Sequence, residues 1–532
     1  MRKFKTLRNL MVMAVFSLVL TACAAVQDTE EQPGEQVGQN DVVEQPAVQV
    51  QGGEAVWISN AAPPTLDPHV AVDIISRNAM RQIYETLTAL DENNNVVPHL
   101  ALSYEMLDDL TWEFVLRQGI VFHDGAPFNA YAVATNFRRL LDPANAYPGA
   151  VMMEAVARVE IIDEYVVHFI THAPFVPLPA QLSQYNSLII SPLAIQVQDE
   201  GGYLVAERPM GTGPFAFYSH TPGNYIRFVR FDDYWMEPAI LDSLVFRIIP
   251  DPSTRLMMLE SGEAHGMIAM LSDVVVFEDV PQVNVESVLS TRTEFLIINT
   301  SRPPFDNMRL RQALAMAVNR EDILYGIADG QGVLAQGPIA PNVTHSPTDV
   351  QSLPFDPQRS REILQELGYY GNLETELWIY EGNSVMARTA ELMQSNWADV
   401  GITATINVME RGAYLSATAA GELPLALLGW TGGTGDPDIQ VFPLFYSGNF
   451  GGLGNRSFFY HPRADELLAL GRSVADFNER AEIYRELVEI LLYYVPNIFL
   501  YHPQTPIATN GITGLRTDFT FTPFFHRVAL TN

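Results

Sequence analysis

The sequence predicts a mixed α/β protein of two to four domains. Stretches in which apolar and polar residues alternate, as in half-buried strands, are interspersed with stretches whose apolar residues recur at helical spacing. About 480 residues follow an N-terminal leader and tether, and 48% of the whole chain is hydrophobic. A chain of this length and composition can bury several cores.

Local patterns predict the type of each element, and Gly- and Pro-rich segments separate them. In chain order the predicted elements are a strand at 55–59, a helix at about 75–90, a strand at 112–117, a helix with Asn129 as its N-cap, a buried strand at 423–428 that stops at Gly429, helical spacing over 464–492, and a strand after the turn that follows Tyr494.

The loop after the strand at 423–428 is the stretch best suited to a ligand. It carries one large aromatic side chain, Trp430, and two carboxylates, Asp436 and Asp438, within nine residues. An indole face attracts cations, and a carboxylate accepts charge-assisted hydrogen bonds from an ammonium. These residues predict a site for a cationic group of a ligand. The alternative is an ordinary Gly-rich surface loop whose aspartates cap turns.

The N-terminus predicts secretion. Four basic side chains precede an apolar run at 10–20, which is too short to span a bilayer. The next residues, Leu-Thr-Ala-Cys ending at Cys23, resemble the lipobox of bacterial lipoproteins, which implies a signal peptide at 1–22 and acylation of Cys23. Because Cys23 is the only cysteine, no internal disulfide can form. Residues 23–53 are acidic, contain no Lys or Arg, and predict a disordered, extended tether.

The charge of the chain argues against a nucleic-acid partner. The formal net charge is −31, whereas phosphate backbones need a basic face. An acidic surface suits solubility in a saline or alkaline medium, and we prefer that interpretation to a specific cationic partner.

The sequence lacks the motifs of common hydrolases and nucleotide-binding enzymes. We find no Gly-x-Ser-x-Gly elbow, no His-Glu-x-x-His and no phosphate loop ending in Gly-Lys-Ser/Thr. The eleven histidines are scattered and form no metal-ligand cluster, although His265 and His461 are candidates if the ligand is a metal chelate. We therefore expect no enzymatic activity, no cofactor and no metal site.

Several longer motifs follow one another along the chain. Trp-x-Phe-x-Leu-Arg-x-Gly begins at Trp112, and Phe-His-Asp-Gly-x-Pro-Phe begins at Phe122. Later come Gly-Thr-Gly-Pro from Gly211, Ser-Gly-Glu-Ala-His from Ser261, and Phe-Asp-Pro from Phe355. Together they resemble family 5 of the solute-binding proteins of bacterial ABC importers, whose members bind dipeptides, oligopeptides, glutathione or nickel complexes. The resemblance covers about residues 54 to 530.

The resemblance implies a two-lobed, periplasmic-binding-protein-like α/β fold with an extra inserted domain. The lobes of such proteins close over the ligand at a hinge. The implied boundaries are 54–95 for the first part of domain I, 96–207 for the inserted domain II, 208–297 for the second part of domain I, 298–504 for domain III as the ligand-closing lobe, and 505–532 for the return to domain I.

The resemblance also implies roles for the loop residues. In dipeptide-binding relatives an aspartate of this segment holds the α-ammonium of the peptide, which assigns that role to Asp436 and a stacking or wall role to Trp430. Asp438 is a further candidate, or only a cap of the next helix or turn. Asn455 and Arg456 lie in a segment that resembles the glutathione and short-peptide branch. Arg456 either pairs with a substrate carboxylate or bonds to loop carbonyls.

The implied function is capture of a short peptide or glutathione and its delivery to the transmembrane subunits of an ABC permease. We expect a monomer, lipid-anchored on the extracytoplasmic face of the cell membrane, facing a periplasm or the outside. A nickel-chelate or opine-metallophore receptor is the alternative within the binding class, and a secreted hydrolase or adhesin is the alternative of another class. Arg138, Arg139 and Arg388 are further candidates for binding a ligand carboxylate.

Overall fold

The computed structural model describes residues 49–277, 279–452 and 454–531, which belong to one compact unit. Its helices are α1 (Ile74–Met80), α2 (Ala130–Leu141), α3 (Leu178–Gln181), α4 (Pro192–Asp199), α5 (Pro252–Glu260), α6 (Leu271–Phe277), α7 (Met308–Met316), α8 (Arg320–Gly326), α9 (Pro357–Glu366), α10 (Ser384–Asp399), α11 (Arg411–Ala419), α12 (Asp438–Phe445), α13 (Pro462–Ser473) and α14 (Phe477–Tyr494). Within the described ranges, no helix has both the length and the apolar character needed to cross a bilayer.

Strands are interspersed with these helices along the chain, which confirms the α/β class. They are β1 (Gln49–Val50), β2 (Glu54–Ser59), β3 (Thr88–Leu90), β4 (Val96–Pro98), β5 (Ala101–Asp108), β6 (Thr111–Leu116), β7 (Val156–Asp163), β8 (Val166–Thr171), β9 (Phe215–Thr221), β10 (Tyr225–Arg230), β11 (Ser243–Ile248), β12 (Gly266–Ile268), β13 (Val283–Leu289), β14 (Arg292–Ile298), β15 (Gly332–Leu334), β16 (Leu373–Tyr380), β17 (Ile402–Met409), β18 (Leu425–Thr431), β19 (Asn497–Asn510), β20 (Ile512–Thr513), β21 (Arg516–Thr517), β22 (Pro523–Phe524) and β23 (Ala529–Thr531).

One twelve-stranded sheet runs through the unit in the order β17-β16-β18-β14-β19-β12-β2-β11-β10-β9, with β13 and β15 also paired to β19. The long strand β19 joins the two ends of this sheet, because its first residues pair with β14 and its last residues pair with β12 and β13. The chain therefore passes between the two ends twice, once between β13 and β14 and once within β19. We call residues 292–501 the closing lobe and the other described residues the base lobe. Paired crossings of this kind are where a hinge can act.

The closing lobe has a core on each face of its part of the sheet. The alternation of side chains along β14 places Leu296 and Ile298 in one core and Phe295 and Ile297 in the other. Helices α7, α9 and α10 supply the first core, and α11 to α14 supply the second. In the base lobe, a separate four-stranded sheet of order β5-β6-β8-β7 packs on α2. Asn129 caps α2 as predicted, because its side chain accepts from the backbone N–H of Ala132.

The helix predicted over 75–90 is only half correct. α1 stops at Met80, and residues 88–90 form β3 instead. The backbone carbonyls of Gln82, Ile83 and Glu85 accept from Phe215, Gly213 and Ile189 of distant segments. A Cβ at Gly211 would lie 2.1 Å from the Ile83 carbonyl oxygen, so this segment packs directly on the turn. Tertiary packing thus overrides the local helical pattern.

The strand predicted at 423–428 was expected to stop at Gly429, and this end point is wrong. β18 continues to Thr431, since Gly429, Trp430 and Thr431 pair in register with Glu294, Thr293 and Arg292 of β14. Trp430 therefore lies on a strand and the loop begins after it. The domain boundaries at 95/96, 207/208, 297/298 and 504/505 stay predictions. The packing of β14 within both cores of the closing lobe puts the first crossing a few residues earlier, before Arg292.

Candidate functional site

Trp430 is anchored at the end of β18. Its indole Nε1 donates to the carbonyl oxygen of Ile439 at 2.7 Å, and its ring packs against the second core of the closing lobe. The indole thus fixes the start of α12 to the end of the strand. Its side chain is half-buried and does not line the cavity of about 760 Å³ that lies along α1. The wall role predicted for Trp430 stays untested.

Asp436 lies in a buried ion pair. Its two carboxylate oxygens accept from Arg480 of α14 at 2.6 and 2.8 Å, and the two residues are only 8% and 5% exposed. Asp436 Oδ1 also accepts from the backbone N–H of Asp438 at 2.9 Å. Although burial lowers the pKa of Arg480, the charge of Asp436 outweighs it and raises that pKa above its ordinary value.

The expected role for Asp436 needs a carboxylate that is open to a ligand ammonium. The structure shows instead a carboxylate already neutralised by a guanidinium and engaged at the start of α12. This geometry argues that Asp436 orients the loop rather than the ligand. A direct contact between Asp436 and a ligand remains a prediction.

Asp438 is buried next to Arg472 of α13. Arg472 Nε lies 3.0 Å from Asp438 Oδ1, at an angle that gives a charge contact rather than an aligned hydrogen bond. The guanidinium also lies over the Phe442 ring at 3.7 Å and over the base-lobe Phe175 ring at 4.9 Å. Burial raises the pKa of Asp438 to about 6, against the opposing effect of Arg472. The Arg472 carbonyl accepts from Val176 N at 2.7 Å, so this cluster joins the two lobes.

The raised pKa of Asp438 predicts an inverted pH dependence of stability. Between about pH 4 and 6 the folded chain keeps this proton and the unfolded chain releases it, so stability falls as pH rises. Asp438→Asn removes that loss. We expect the free energy of unfolding of the variant, relative to the original protein, to rise by up to about 3 kcal/mol from pH 4 to pH 7. Urea titrations at several pH values measure it.

The exposed Asp109→Asn is the control for loss of a carboxylate. If the difference in the free energy of unfolding between Asp438→Asn and the original protein did not change across this pH range, the raised pKa of the buried Asp438 carboxylate would be contradicted.

Asn455 and Arg456 bond within the closing lobe. Asn455 is fully buried, donates to the Phe459 carbonyl at 2.9 Å and accepts from Ser457 Oγ at 2.9 Å. Arg456 donates to the Leu415 carbonyl at 2.7 Å and to the hydroxyl of Thr418. Of the two interpretations left open for Arg456, the structure favours bonding to the protein's own oxygens. A ligand role for either residue is not tested by these contacts.

Most of the other candidates from the sequence have protein partners, and Arg138 lies on the surface. Arg139 forms a buried, bidentate pair with Asp67, Arg388 donates to the Ile327 carbonyl, and Arg138 is exposed on α2. His265 Nδ1 accepts from Val56 N, and His461 Nδ1 caps α13 by accepting from Ala464 N. In the described part of the chain no group of three His, Cys, Asp or Glu side chains could hold a metal ion. Cys23 lies outside the described residues.

A cavity of the size of a ligand site lies elsewhere, along α1 of the base lobe. It has a volume of about 760 Å³ and is lined by residues of the segments 77–86, 89–99, 183–185 and 514–527, with Gly433 from the closing lobe. We call it the α1 cavity. A smaller cavity of about 540 Å³ adjoins it and shares the rim residues Asp91, Glu92 and Arg516. Ligand pockets are commonly about 300–1,000 Å³ in volume.

Gly433 is the point where the closing lobe reaches this cavity. Its carbonyl accepts from the side chain of Gln184 of the base lobe. A Cβ at position 433 would lie 2.4 Å from Gln184 Oε1, so the absence of a side chain permits the contact. The Gly-rich loop predicted to bind a ligand thus does border a cavity, but through its backbone and not through Trp430, Asp436 or Asp438.

One wall of the α1 cavity carries a buried carboxylate, Glu85. Four donors surround it: Tyr234 Oη at 2.7 Å, Thr212 Oγ1 at 2.8 Å, Trp235 Nε1 at 2.9 Å and His99 Nε2 at 2.9 Å. Burial raises the pKa of Glu85, but His99 and the hydroxyl and indole donors outweigh it, and the net pKa is lowered. The Glu85 charge is therefore compensated by the protein itself.

Three arginines, Arg77, Arg81 and Arg516, also line the α1 cavity. They were not among the residues predicted from the sequence. A signal was available, since Arg77 and Arg81 are four residues apart and lie on one face of the predicted helix. Nothing local connects them with Arg516, which the fold brings back from the C-terminal segment.

The comparisons with known proteins agree with this architecture. Residues 95–452 match the family described as bacterial extracellular solute-binding proteins, family 5 Middle. The chain is 30% identical to the glutathione-binding protein GsiB of Escherichia coli (strain K12), over 85% of this chain and 89% of that protein. It is 28% identical to heme-binding protein A of Haemophilus influenzae, over 98% of both chains.

Two solved structures extend the agreement to the fold. HbpA2 from Haemophilus parasuis superposes with a TM-score of 0.84 at 28% identity, covering 90% of this chain and 100% of that one. The periplasmic binding protein DppA from Helicobacter pylori, in complex with the peptide STSA, has a TM-score of 0.74 at 28% identity and covers 91% and 99%. The two-lobed fold predicted from the motifs is thereby confirmed. The chain belongs to family 5 of the bacterial extracellular solute-binding proteins.

Proposed function

We propose that this protein captures a short peptide, with glutathione as the leading candidate, and delivers it to the transmembrane subunits of an ABC permease. The observation that carries the proposal is the α1 cavity, which has the volume of a ligand site and is bordered by both lobes. Glutathione, heme and peptide appear in the names of the relatives GsiB, heme-binding protein A and DppA. A peptide suits a cavity that combines charged walls with aromatic rings such as Phe524 and Phe525.

Capture would use the hinge between the lobes. The crossings between β13 and β14 and within β19 allow the closing lobe to swing as a body, because each lobe has its own cores. Gln184 bonded to Gly433, and Val176 bonded to the Arg472 carbonyl, are contacts that hold the lobes together. A solute enclosed in this way loses contact with water, which strengthens each charged contact it makes.

The metal-chelate alternative has no support from a cluster of metal-ligand side chains in the described residues. His265 and His461, its two candidates, accept hydrogen bonds from backbone N–H groups and do not line the α1 cavity. Peptide capture is therefore the better supported function.

Calorimetric titration of the full chain tests the proposal. The probes are reduced glutathione, a panel of di- and tripeptides, and a nickel–histidine complex. We expect saturable one-to-one binding of at least one peptide, with a stabilisation of about 2.7 kcal/mol when the peptide is at 100 times its Kd. If only the nickel complex bound, the ligand would be a metal chelate and not a peptide. If no probe bound, the proposal would be contradicted.

A pair of variants ties binding to the α1 cavity. Ala89→Trp places an indole in the cavity and should abolish binding, whereas Ala144→Trp adds the same group on the exposed surface and should not. Equal binding by both variants would place the solute elsewhere.

We also propose that the protein is a monomer anchored by a lipid at Cys23 after removal of residues 1–22. The support is the sequence around Cys23, which resembles a lipobox. Labelled palmitate should be incorporated into the original protein and not into Cys23→Ser, and the variant should be released from the membrane. Equal labelling of both proteins would contradict lipidation at Cys23. Sedimentation of the released protein as a dimer would contradict the proposed monomeric state.

A further inference from the structure

Two distant segments bring three guanidinium groups to the α1 cavity. Arg77 lies in α1, Arg81 follows the last residue of that helix, and Arg516 lies in β21 of the C-terminal segment. After burial, which is the largest cause, the positive charges of Arg77 and Arg516 also lower the pKa of Arg81, as expected for neighbouring cations. We call these three residues the arginine cluster.

The arginine cluster makes no ion pair within the described residues. Arg77 donates to the Thr520 carbonyl, Arg81 to the Ser183 carbonyl and to Thr86 Oγ1 at 3.3 Å, and Arg516 to the Leu90 carbonyl at 2.5 Å. Each guanidinium has five N–H donors in a planar fork. Among the described atoms, Arg77 Nε and Arg81 Nε are buried and have no hydrogen-bond partner.

Neighbouring carboxylates of the described residues act on this charge from a distance but form no ion pair with it. Asp518 is the acid with the largest electrostatic effect on both Arg77 and Arg81, but its Oδ1 already accepts from Thr520 N at 2.8 Å and Thr522 N at 3.2 Å. Glu85 is held by its own four donors. Burial lowers the pKa of Arg77, and it lowers that of Arg81 to about 10. A guanidinium nevertheless stays protonated at neutral pH.

The arginine cluster is set apart by the number of its charges in one cavity. The buried Arg139 and Arg480 are paired with Asp67 and Asp436, and the buried Arg255 and Arg311 donate to backbone carbonyls, but none of these four lines the α1 cavity. Burying unpaired charge is costly unless an anion compensates it. Three neighbouring arginines without an ion pair in a cavity of this size are therefore suited to an anionic group that enters from outside.

We infer that the arginine cluster binds the carboxylate of the captured solute, and that the solute is an amino-acid-derived acid with at least one free carboxylate. The inference rests on the proposed function and adds to it the chemical class that the site selects. A carboxylate accepts two parallel N–H groups from one guanidinium, so two of the three arginines can bind both of its oxygens.

The test compares free peptides with their C-terminal amides, which differ in the carboxylate and keep the ammonium. The probes are glutathione, trialanine and trialanine amide, titrated by calorimetry into the full chain. We expect the original protein to prefer trialanine over its amide by about tenfold or more, and Arg81→Gln and Arg516→Gln to reduce that preference to about twofold. Arg158→Gln, which removes an exposed arginine paired with Glu160, should leave the preference unchanged.

The ratio of the two affinities separates ligand binding from a structural role. Loss of the bonds to Ser183 or Leu90 alone would weaken both peptides equally and leave the ratio unchanged, which would overturn the inference, as would equal affinities in the original protein. If Arg81→Gln does not fold, Arg81→Lys is the substitute, because it keeps the positive charge but lacks the planar guanidinium. We expect Arg81→Lys to prefer trialanine over its amide, but less strongly than the original protein does.

A failure of peptide capture gives a different pattern. If neither trialanine, its amide nor glutathione binds, the proposed function fails, and citrate then tests the arginine cluster alone. If citrate binds and Arg81→Gln weakens its binding by about tenfold or more, the arginine cluster is an anion site. If citrate does not bind, the anion site is overturned.

Discussion

Arg480→Met lowers the free energy of unfolding by about 3–5 kcal/mol, because it leaves Asp436 buried without its counter-charge. The native carboxylate accepts from both terminal nitrogens of Arg480, at 2.6 and 2.8 Å, and the guanidinium also donates to the Gly471 carbonyl at 2.7 Å. Urea unfolding of the full chain measures the effect.

The same helix offers a matched control. Arg485 of α14 pairs with Asp349 and Glu489 on the surface, so Arg485→Met should cost less than about 1 kcal/mol. The double variant Asp436→Asn with Arg480→Met should recover part of the loss, because no charge is then left unpaired. A cost for Arg480→Met no larger than that for Arg485→Met would contradict a structural ion pair that holds the loop before α12.

Glu85→Ala lowers the free energy of unfolding by about 3 kcal/mol or more, because the donors from Thr212, Tyr234 and Trp235 lose their acceptor in a buried site. The pKa of Glu85 is lowered in the folded state, so its stabilising charge is present above the ordinary pKa of glutamate and is lost as pH falls through the folded pKa. We therefore expect Glu85→Gln to cost most at pH 7 and progressively less below about pH 4.

Glu113→Gln is the matched control for Glu85→Gln. Glu113 also lies 2.9 Å from a histidine, His168, but on a more exposed face of the base lobe. We expect it to cost less than about 1 kcal/mol at pH 7. If the two variants lost the same free energy of unfolding, or if the loss for Glu85→Gln grew as pH falls, the account of Glu85 as a buried carboxylate stabilised by its donors would be contradicted.

Most of the fold could be predicted from the sequence, because its determinants are local or extend over long motifs. The period-2 pattern at 112–117 became β6, Asn129 capped α2, and the turn after Tyr494 led into β19. The errors arose where distant segments decide the backbone. The turn after α1 is set by carbonyl bonds to residues 189, 213 and 215, and β18 is prolonged by pairing with β14.

The candidate site was harder to predict because charge compensation is a tertiary property. The sequence shows Asp436 and Asp438 in a Gly-rich loop, but it does not show that Arg480 and Arg472, from two later helices, lie against them. It likewise does not show that Arg516 of the C-terminal segment returns to Arg77 and Arg81. The loop borders the α1 cavity through Gly433, a residue that was not among the predicted site residues, and the ligand roles of Trp430 and Asp436 stay predictions.

Amide hydrogen exchange of the full chain, with and without a saturating peptide ligand, tests the location of the site most directly. The structure predicts slower exchange on binding in residues 77–86 and 514–520 and in the loop at 432–435. These segments line the α1 cavity or border it from the closing lobe. Protection confined to the segment around Asn455 and Arg456, with no change along α1, would contradict the assignment of the α1 cavity as the solute site.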